Sequence, residues 1–256
     1  MIDIARSVLL GLVQGITEFL PVSSSGHLVI LRSVMKSDSA GGFEEVAFLH
    51  LATLLSVLYY FRKDLFCLVG DFFKKDGVTA RKTVWFLFVA SVPAGAAGFF
   101  FKETIDRFFS GNSIWISLFF VLTSALLLGS DYIGKHERKL GWANSLIIGV
   151  FQAVAILPGV SRSGSTISAG VFCGLDRRLA VVFSFYMSIP AVLFGNILFS
   201  SFDGGFFTLA QAAGFAAAFL SGVFAVDVLV KLVKKAKLKY FGFYALTVAV
   251  VNLFLI

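Results

Sequence analysis

Apolar residues run through this chain in long blocks, neither alternating nor confined to one stripe of a helix. Eight such segments, roughly 7–31, 46–61, 83–101, 108–130, 140–175, 179–202, 206–226 and 240–256, are separated by short polar stretches. Most reach the roughly 20 residues that an α-helix needs to cross a bilayer. The second is short and is expected to begin nearer Phe43. Runs this long do not have the alternation of a transmembrane β-barrel. The pattern predicts an all-α membrane protein, organised as one integral membrane domain over residues 1–256.

Two of the blocks are interrupted by polar residues, and the interruptions resemble each other. Gly11 to Gly26 reads GLVQGITEFLPVSSSG, and Gly149 to Gly164 reads GVFQAVAILPGVSRSG. Offset by 138 positions without a gap, they share Gly11/Gly149, Gln14/Gln152, Val22/Val160, Ser23/Ser161, Ser25/Ser163 and Gly26/Gly164. A polar element is expensive at membrane depth, and a duplicated one marks a functional centre where the copies meet.

Basic residues give the orientation. Stretches 62–82, 131–139, 176–178 and 227–239 hold 16 Lys and Arg, against 5 in 1–6, 32–45, 102–107 and 203–205. The first group is expected on the cytoplasmic side. Segment 140–175 then begins and ends on that same side, which a single crossing cannot do. It must turn back, and Pro158, Gly159 and Gly164 lie where the turn is needed. The first segment is expected to do likewise from the opposite face, around Pro21 to Gly26. The expected architecture is therefore six transmembrane helices plus two re-entrant helical hairpins, in inverted repeats of about 1–139 and 140–256. Irregular backbone at that depth needs protein or a watery cavity around it, so the tips are expected to meet inside the bundle. Ser91-Val-Pro-Ala and Ser188-Ile-Pro-Ala look alike but fall on segments that this order does not pair; the match is read as coincidence.

Composition agrees, with 58% hydrophobic and 14% charged residues and a mean hydropathy of +0.89. The net charge of +7 sits largely in the cytoplasmic stretches, which argues for a membrane surface and against nucleic acid. Cys67 and Cys173 have no redox or metal spacing and read as core thiols. The first apolar run carries Glu18 and His27 and has no clear cleavage site, so no cleavable leader is expected.

The chemistry lies at the tips. Gln14 and Glu18 are four apart and share a helix face, where they could hold a hard divalent cation or a water. The serines of the two copies, Ser23, Ser24 and Ser25 with Ser161, Ser163 and Ser165, place hydroxyls and backbone N–H groups together as an anion cradle. Thr166 adds another hydroxyl, and Arg162 a permanent positive fork suited to phosphate. His27 can transfer a proton or attack phosphorus. Together these suggest phosphate-ester chemistry.

QGITEFLPVSSSGH and PGVSRSGST closely resemble the two signature motifs of the bacterial undecaprenyl-diphosphatase family, the bacitracin-resistance type, and the segment plan is similar over essentially the whole chain. The resemblance implies hydrolysis of undecaprenyl diphosphate to undecaprenyl phosphate and inorganic phosphate, which recycles the lipid carrier of cell-wall synthesis in the bacterial plasma membrane. It implies a site reached from the outer face. It also implies that Glu18 and position 14 handle a divalent cation (Mg or Ca) or a water, that His27 or Ser24 is nucleophile or proton carrier, and that Arg162, Ser161 and Thr166 grip the diphosphate. Many members carry Glu where this chain has Gln14, so the pair here has one negative charge, and base work falls to Glu18 alone.

Plainer roles compete. Glu18 could be a packing carboxylate paired with Arg162, His27 a structural histidine on a carbonyl, and some hydroxyls glue between helices. His50 is expected to be a packing or interfacial residue, and Asp131 and Asp227 caps or surface charges. The lysines of 231–239 read as topology signals. The rival function is a secondary transporter or flippase for an anionic lipid or solute, binding its cargo with Arg162 and coupling protons through Glu18.

Overall fold

The computed structural model describes residues 2–35, 42–109, 113–133, 137–199, 208–233 and 238–255. Among them it holds twelve α-helices and, apart from one isolated bridge between Arg138 and Leu175, no β-structure. In chain order these are α1 (Ile2–Phe19), α2 (Ser24–Val34), α3 (Gly42–Tyr60), α4 (Arg62–Phe73), α5 (Val78–Phe100), α6 (Lys102–Phe109), α7 (Ser113–Asp131), α8 (Trp142–Val154), α9 (Arg162–Phe172), α10 (Arg177–Phe199), α11 (Leu209–Val233) and α12 (Lys239–Leu255). Four of them, α5, α7, α10 and α11, are long and apolar enough to cross a membrane; α3, α8 and α12 include shorter apolar helices.

The first and fifth apolar segments are each two helices with a break. Pro21 and Ser23 separate α1 from α2, and Pro158 and Gly159 separate α8 from α9. Gly159 has φ +103°, a conformation that side chains rarely adopt. Two elements were not expected: α4 lies in the polar stretch 62–82, and α6 covers 102–107 with Ile105 turned inward. The lysines at 234, 235 and 237 and the stretch 203–205 lie outside the described residues.

The sequence repeat is also a packing repeat. α1 lies along α11 as α8 lies along α5, α7 pairs with α12, α3 with α10, and α3–α11 is matched by α5–α10. Gly11 and Gly149 make close approaches in equivalent places. A Cβ on Gly11 would collide with the Gly214 carbonyl oxygen of α11, and one on Gly149 would collide with that of Ala90 on α5. Their identity in the repeat therefore has a steric cause, since small residues let membrane helices touch backbone to backbone. The largest buried cluster collects Phe19, Phe61, Ile148, Ile167 and Phe185 around the breaks. Phe19, one residue past Glu18, meets Phe185 edge-on at 5.7 Å.

Ionic contacts tie off the helix ends that the basic residues assign to the cytoplasm. Asp131, as expected of a cap, accepts from the backbone N–H of Leu238 (3.1 Å) and Lys239 (3.0 Å) at the start of α12, and pairs with Arg177 at 2.9 Å. Asp227 holds Lys231 at 2.6 Å. The cysteines depart from expectation: Cys67 is exposed on α4 and Cys173 is only partly covered, both as free thiols. Pro93 and Pro190 of the two look-alike tetrapeptides lie inside α5 and α10, which pack on each other although the repeat does not pair them.

Gly11→Leu and Gly149→Leu should each lower the thermal midpoint of the detergent-solubilised protein, by an amount equivalent to more than about 2 kcal/mol. Gly95, where an added Cβ would meet no atom within 4 Å, should accept Ala with unchanged or raised stability.

Candidate active site

The two breaks meet. Ser23 caps α2 by accepting from Gly26 N–H at 3.4 Å, and its repeat counterpart Ser161 caps α9 by accepting from Gly164 N–H at 3.0 Å. The tips are then stitched across: Gly159 N–H donates to Ser23 Oγ at 3.2 Å, and Ser163 Oγ donates to the Leu20 carbonyl at 3.2 Å. Thr123 of α7 clamps the second tip, accepting from Ser161 N–H and donating to the Gly159 carbonyl, both at 2.9 Å. The copies differ in one respect. Ser23 has φ 67° and ψ 93°, in the sparsely populated left-handed half of backbone space, whereas Ser161 is at −73° and 120°. Such a residue costs about 1–3 kcal/mol and persists where its surroundings over-determine it.

Glu18, at the last turn of α1, is the hub. Its Oε1 accepts from Arg162 Nη2 at 2.6 Å across the tips. Its Oε2 accepts from Ser24 Oγ at 2.5 Å and from Gln14 Nε2 at 3.0 Å, and lies 3.5 Å from His50 Nε2 of α3. Glu18 is 8% exposed, and its pairing with Arg162 is what makes a carboxylate tolerable there. His50, expected to be a packing residue, thus belongs to the cluster. Its signal was an ionisable group inside an apolar span, but with no counterpart in the other copy.

A cavity of about 1460 Å³ opens from this hub. Its polar end is lined by Glu18, Ser23, Ser24, Ser161, Arg162 and His50, with Ser25 and Gln152 beside them. The N-terminal turns of α2 and α9 both end here, so two helix dipoles add to Arg162 in favouring an anion. From that end the cavity runs between α5 and α10 along Phe88, Val92 and Phe194, which are 59%, 50% and 57% exposed, to Ile105 and Phe109 of α6. One end therefore suits phosphate and the other an apolar chain that continues into lipid.

Gln14, Ser165 and three further expected site residues do not reach the cavity. His27 is engaged on both ring nitrogens, Nδ1 with the Ser23 carbonyl at 2.7 Å and Nε2 with Tyr244 Oη of α12 at 2.8 Å. It stacks on the Tyr244 ring, 5.6 Å between centroids and 2° from parallel, and meets Phe120 edge-on. A carbonyl only accepts, so the neutral ring carries its proton on Nδ1 and accepts from tyrosine. Ser163 is held by Leu20 and Ser161, and Thr166 by the Arg162 carbonyl (2.9 Å) and Ser184 Oγ (2.7 Å). All three fasten the tips from behind.

Gln14 is fully buried behind Glu18. Its Oε1 has no hydrogen-bond partner in the protein, an oxygen left over for a cation. Against this, the Glu18 carboxylate is already neutralised by Arg162, and among the described residues no three His, Cys, Asp or Glu gather as a metal site. The pair fits a divalent cation only as a partial site, whose other oxygens would come from the ligand.

A family model described as bacitracin resistance protein BacA matches residues 7–251. The chain belongs to the BacA family. Relatives named undecaprenyl-diphosphatase agree with it over their full length. The protein from Methanococcus vannielii is 39% identical over 255 residues, covering 98% of this chain and 100% of its own. That from Alkaliphilus metalliredigens is 39% identical over 263 residues, with 95% of each chain covered. That from Christiangramia forsetii is 38% identical over 254 residues, with 96% of each covered. These relatives thus match the chain over nearly its whole length.

Glu18→Leu or Arg162→Met alone should destabilise the protein by about 3–5 kcal/mol, because each leaves a buried charge unpaired. The double variant should lose much less than the sum. A double-mutant cycle of thermal stabilities in detergent measures the coupling, and simple additivity would contradict the pairing.

Proposed function

We propose that this BacA-family protein is a multi-pass membrane undecaprenyl-diphosphatase, which hydrolyses undecaprenyl diphosphate to undecaprenyl phosphate and inorganic phosphate. The observation that carries the reading is the hydroxyl–carboxylate–guanidinium chain, Ser24 to Glu18 at 2.5 Å and Glu18 to Arg162 at 2.6 Å, set between two helix N-termini at the closed end of the cavity. The relatives' name and the chain's membership of the family support it. Those relatives include archaeal proteins, from Methanococcus and Methanobrevibacter, so the bacterial plasma membrane is the narrower part of the proposal. The paired helix contacts support one domain of inverted repeats with six spans and two re-entrant hairpins; the bias of basic residues supports a first hairpin and site that open to the outer face.

In this reading the diphosphate enters beside Arg162, whose guanidinium turns from Glu18 to the phosphoryl oxygens and, with the N-termini of α2 and α9, stabilises the charge that develops on them. Glu18, released from its cation, accepts the Ser24 proton. Ser24 Oγ attacks the terminal phosphorus, the bond from that phosphorus to the bridging oxygen breaks, and the prenyl monophosphate leaves. Glu18 passes that proton to the leaving monophosphate, takes one from the water that attacks the phosphoserine, and returns it to Ser24 Oγ as that P–O bond breaks, giving inorganic phosphate. His50 Nε2, 3.5 Å from Glu18 Oε2, completes the polar cluster around the carboxylate. Ser23, Ser25 and Ser161, at the polar end of the cavity, hold the phosphates. Ser163 and Thr166 keep the tips in register. His27 positions α2 rather than attacking, since its nitrogens are spent on Ser23 and Tyr244. A divalent cation, Mg or Ca, held by Glu18 and Gln14 Oε1, would neutralise phosphate charge when bound. The apolar groove between α5 and α10 takes the prenyl chain.

Purified protein should release inorganic phosphate from a prenyl diphosphate. Ser24→Ala, Glu18→Gln and Arg162→Ala should each lower kcat about 100-fold or more in folded protein. His27→Ala should lose no more than about 10-fold, and His27→Gln should recover part of that. Counterflow of labelled substrate in proteoliposomes without phosphate release would replace hydrolysis by transport. Chelation should suppress turnover, and added Mg or Ca restore it; activity indifferent to chelator would remove the cation from the reading.

A further inference from the structure

Gln14 and Gln152 occupy the same place in the two copies, but only one has a partner. In the first copy the residue four positions on is Glu18, and the Gln14 amide donates to it at 3.0 Å. In the second copy the corresponding residue is Ile156, which offers nothing to an amide. Gln152 is 2% exposed, and neither its Nε2 nor its Oε1 has a hydrogen-bond partner in the protein. It forms part of the cavity wall beside Ser161, Arg162 and Ile156. A buried, unsatisfied amide destabilises the fold, and a leucine of similar size would avoid that cost. A glutamine kept in such a place is set against ligand, not against protein.

We propose that Gln152 is a substrate-binding residue: its Nε2 donates to a phosphoryl oxygen of the bound diphosphate, and its Oε1 accepts from a water or hydroxyl in the ligand's shell. The assignment rests on the hydrolase reading above and adds a contact from the second copy to the Arg162 side of the site. The duplicated glutamines have then diverged in role. Gln14 orients the acid, and Gln152 reads the phosphate.

The test uses the full-length protein in detergent, with farnesyl diphosphate as substrate and farnesyl methylenediphosphonate as non-hydrolysable probe. Gln152→Leu should melt at the same temperature as the parent or higher without ligand, because it deletes an unsatisfied group. Its kcat/KM should fall about 10- to 100-fold, chiefly through KM, and the thermal shift produced by the diphosphonate should shrink. Gln152→Glu should fall further, since a carboxylate repels phosphate, and Gln152→Asn should keep part of the affinity. A leucine variant with parental kcat/KM and ligand shift overturns the proposal, as does one that simply melts lower with activity lost in proportion. A glutamate variant more active than the leucine one also overturns it, because only the acceptor oxygen would then matter. A parent protein that binds the diphosphonate but releases no phosphate sinks the hydrolase reading and leaves the binding arm to judge Gln152.

Discussion

A carboxylate and a guanidinium, contributed by separate halves of the chain and joined at 2.6 Å, fix the rest of this molecule. Neither charge could sit at that depth alone, so each helix break needs the other in register. The requirement explains the stitching around the pair: Ser23 against Gly159, Ser163 against Leu20, and Thr123 closing the second tip. It explains the packing one layer out, where Phe19 and Phe185 lock beneath Glu18. In the proposed mechanism the same pair is what the substrate takes apart, because a diphosphate competes for the arginine with more charge than one carboxylate offers.

The architecture was largely legible because lipid simplifies the reading. Long apolar runs, prolines at the breaks and a gapless 138-residue offset all survive as local patterns, and each corresponds to a helix, a break or a matched contact. Gly11 and Gly149 were visible only as identities; the reason for them, a backbone of another helix at contact distance, is a tertiary fact. α4 and α6 were missed because they fall in polar stretches where a run of apolar residues is not the signal. The placement of α5 against α10 could not be read either, since the repeat does not make those helices equivalent.

Within the site, motif membership said which residues gather but not which way they face. Ser23, Ser24, Ser25, Ser161, Arg162 and Glu18 all reach the cavity. His27 sits in the same motif, yet one step around α2 it meets α12 and is absorbed by Tyr244. His50 made the opposite move. It has no motif and no repeat partner, but α3 carries it to within 3.5 Å of Glu18. Membership of the motif is therefore a weaker guide than the helical phase, which shifts by about 100° per residue.

The flank of the cavity has a consequence for how substrate is met. Phe88, Val92 and Phe194 both line it and face outward, so its side wall is open to the hydrocarbon between α5 and α10. On the proposed reading a prenyl lipid slides in from the leaflet with its tail still solvated by neighbours, and never has to be lifted into water. Encounter then becomes a two-dimensional search, and the enzyme responds to molecules per area of bilayer rather than to their number per volume of solution.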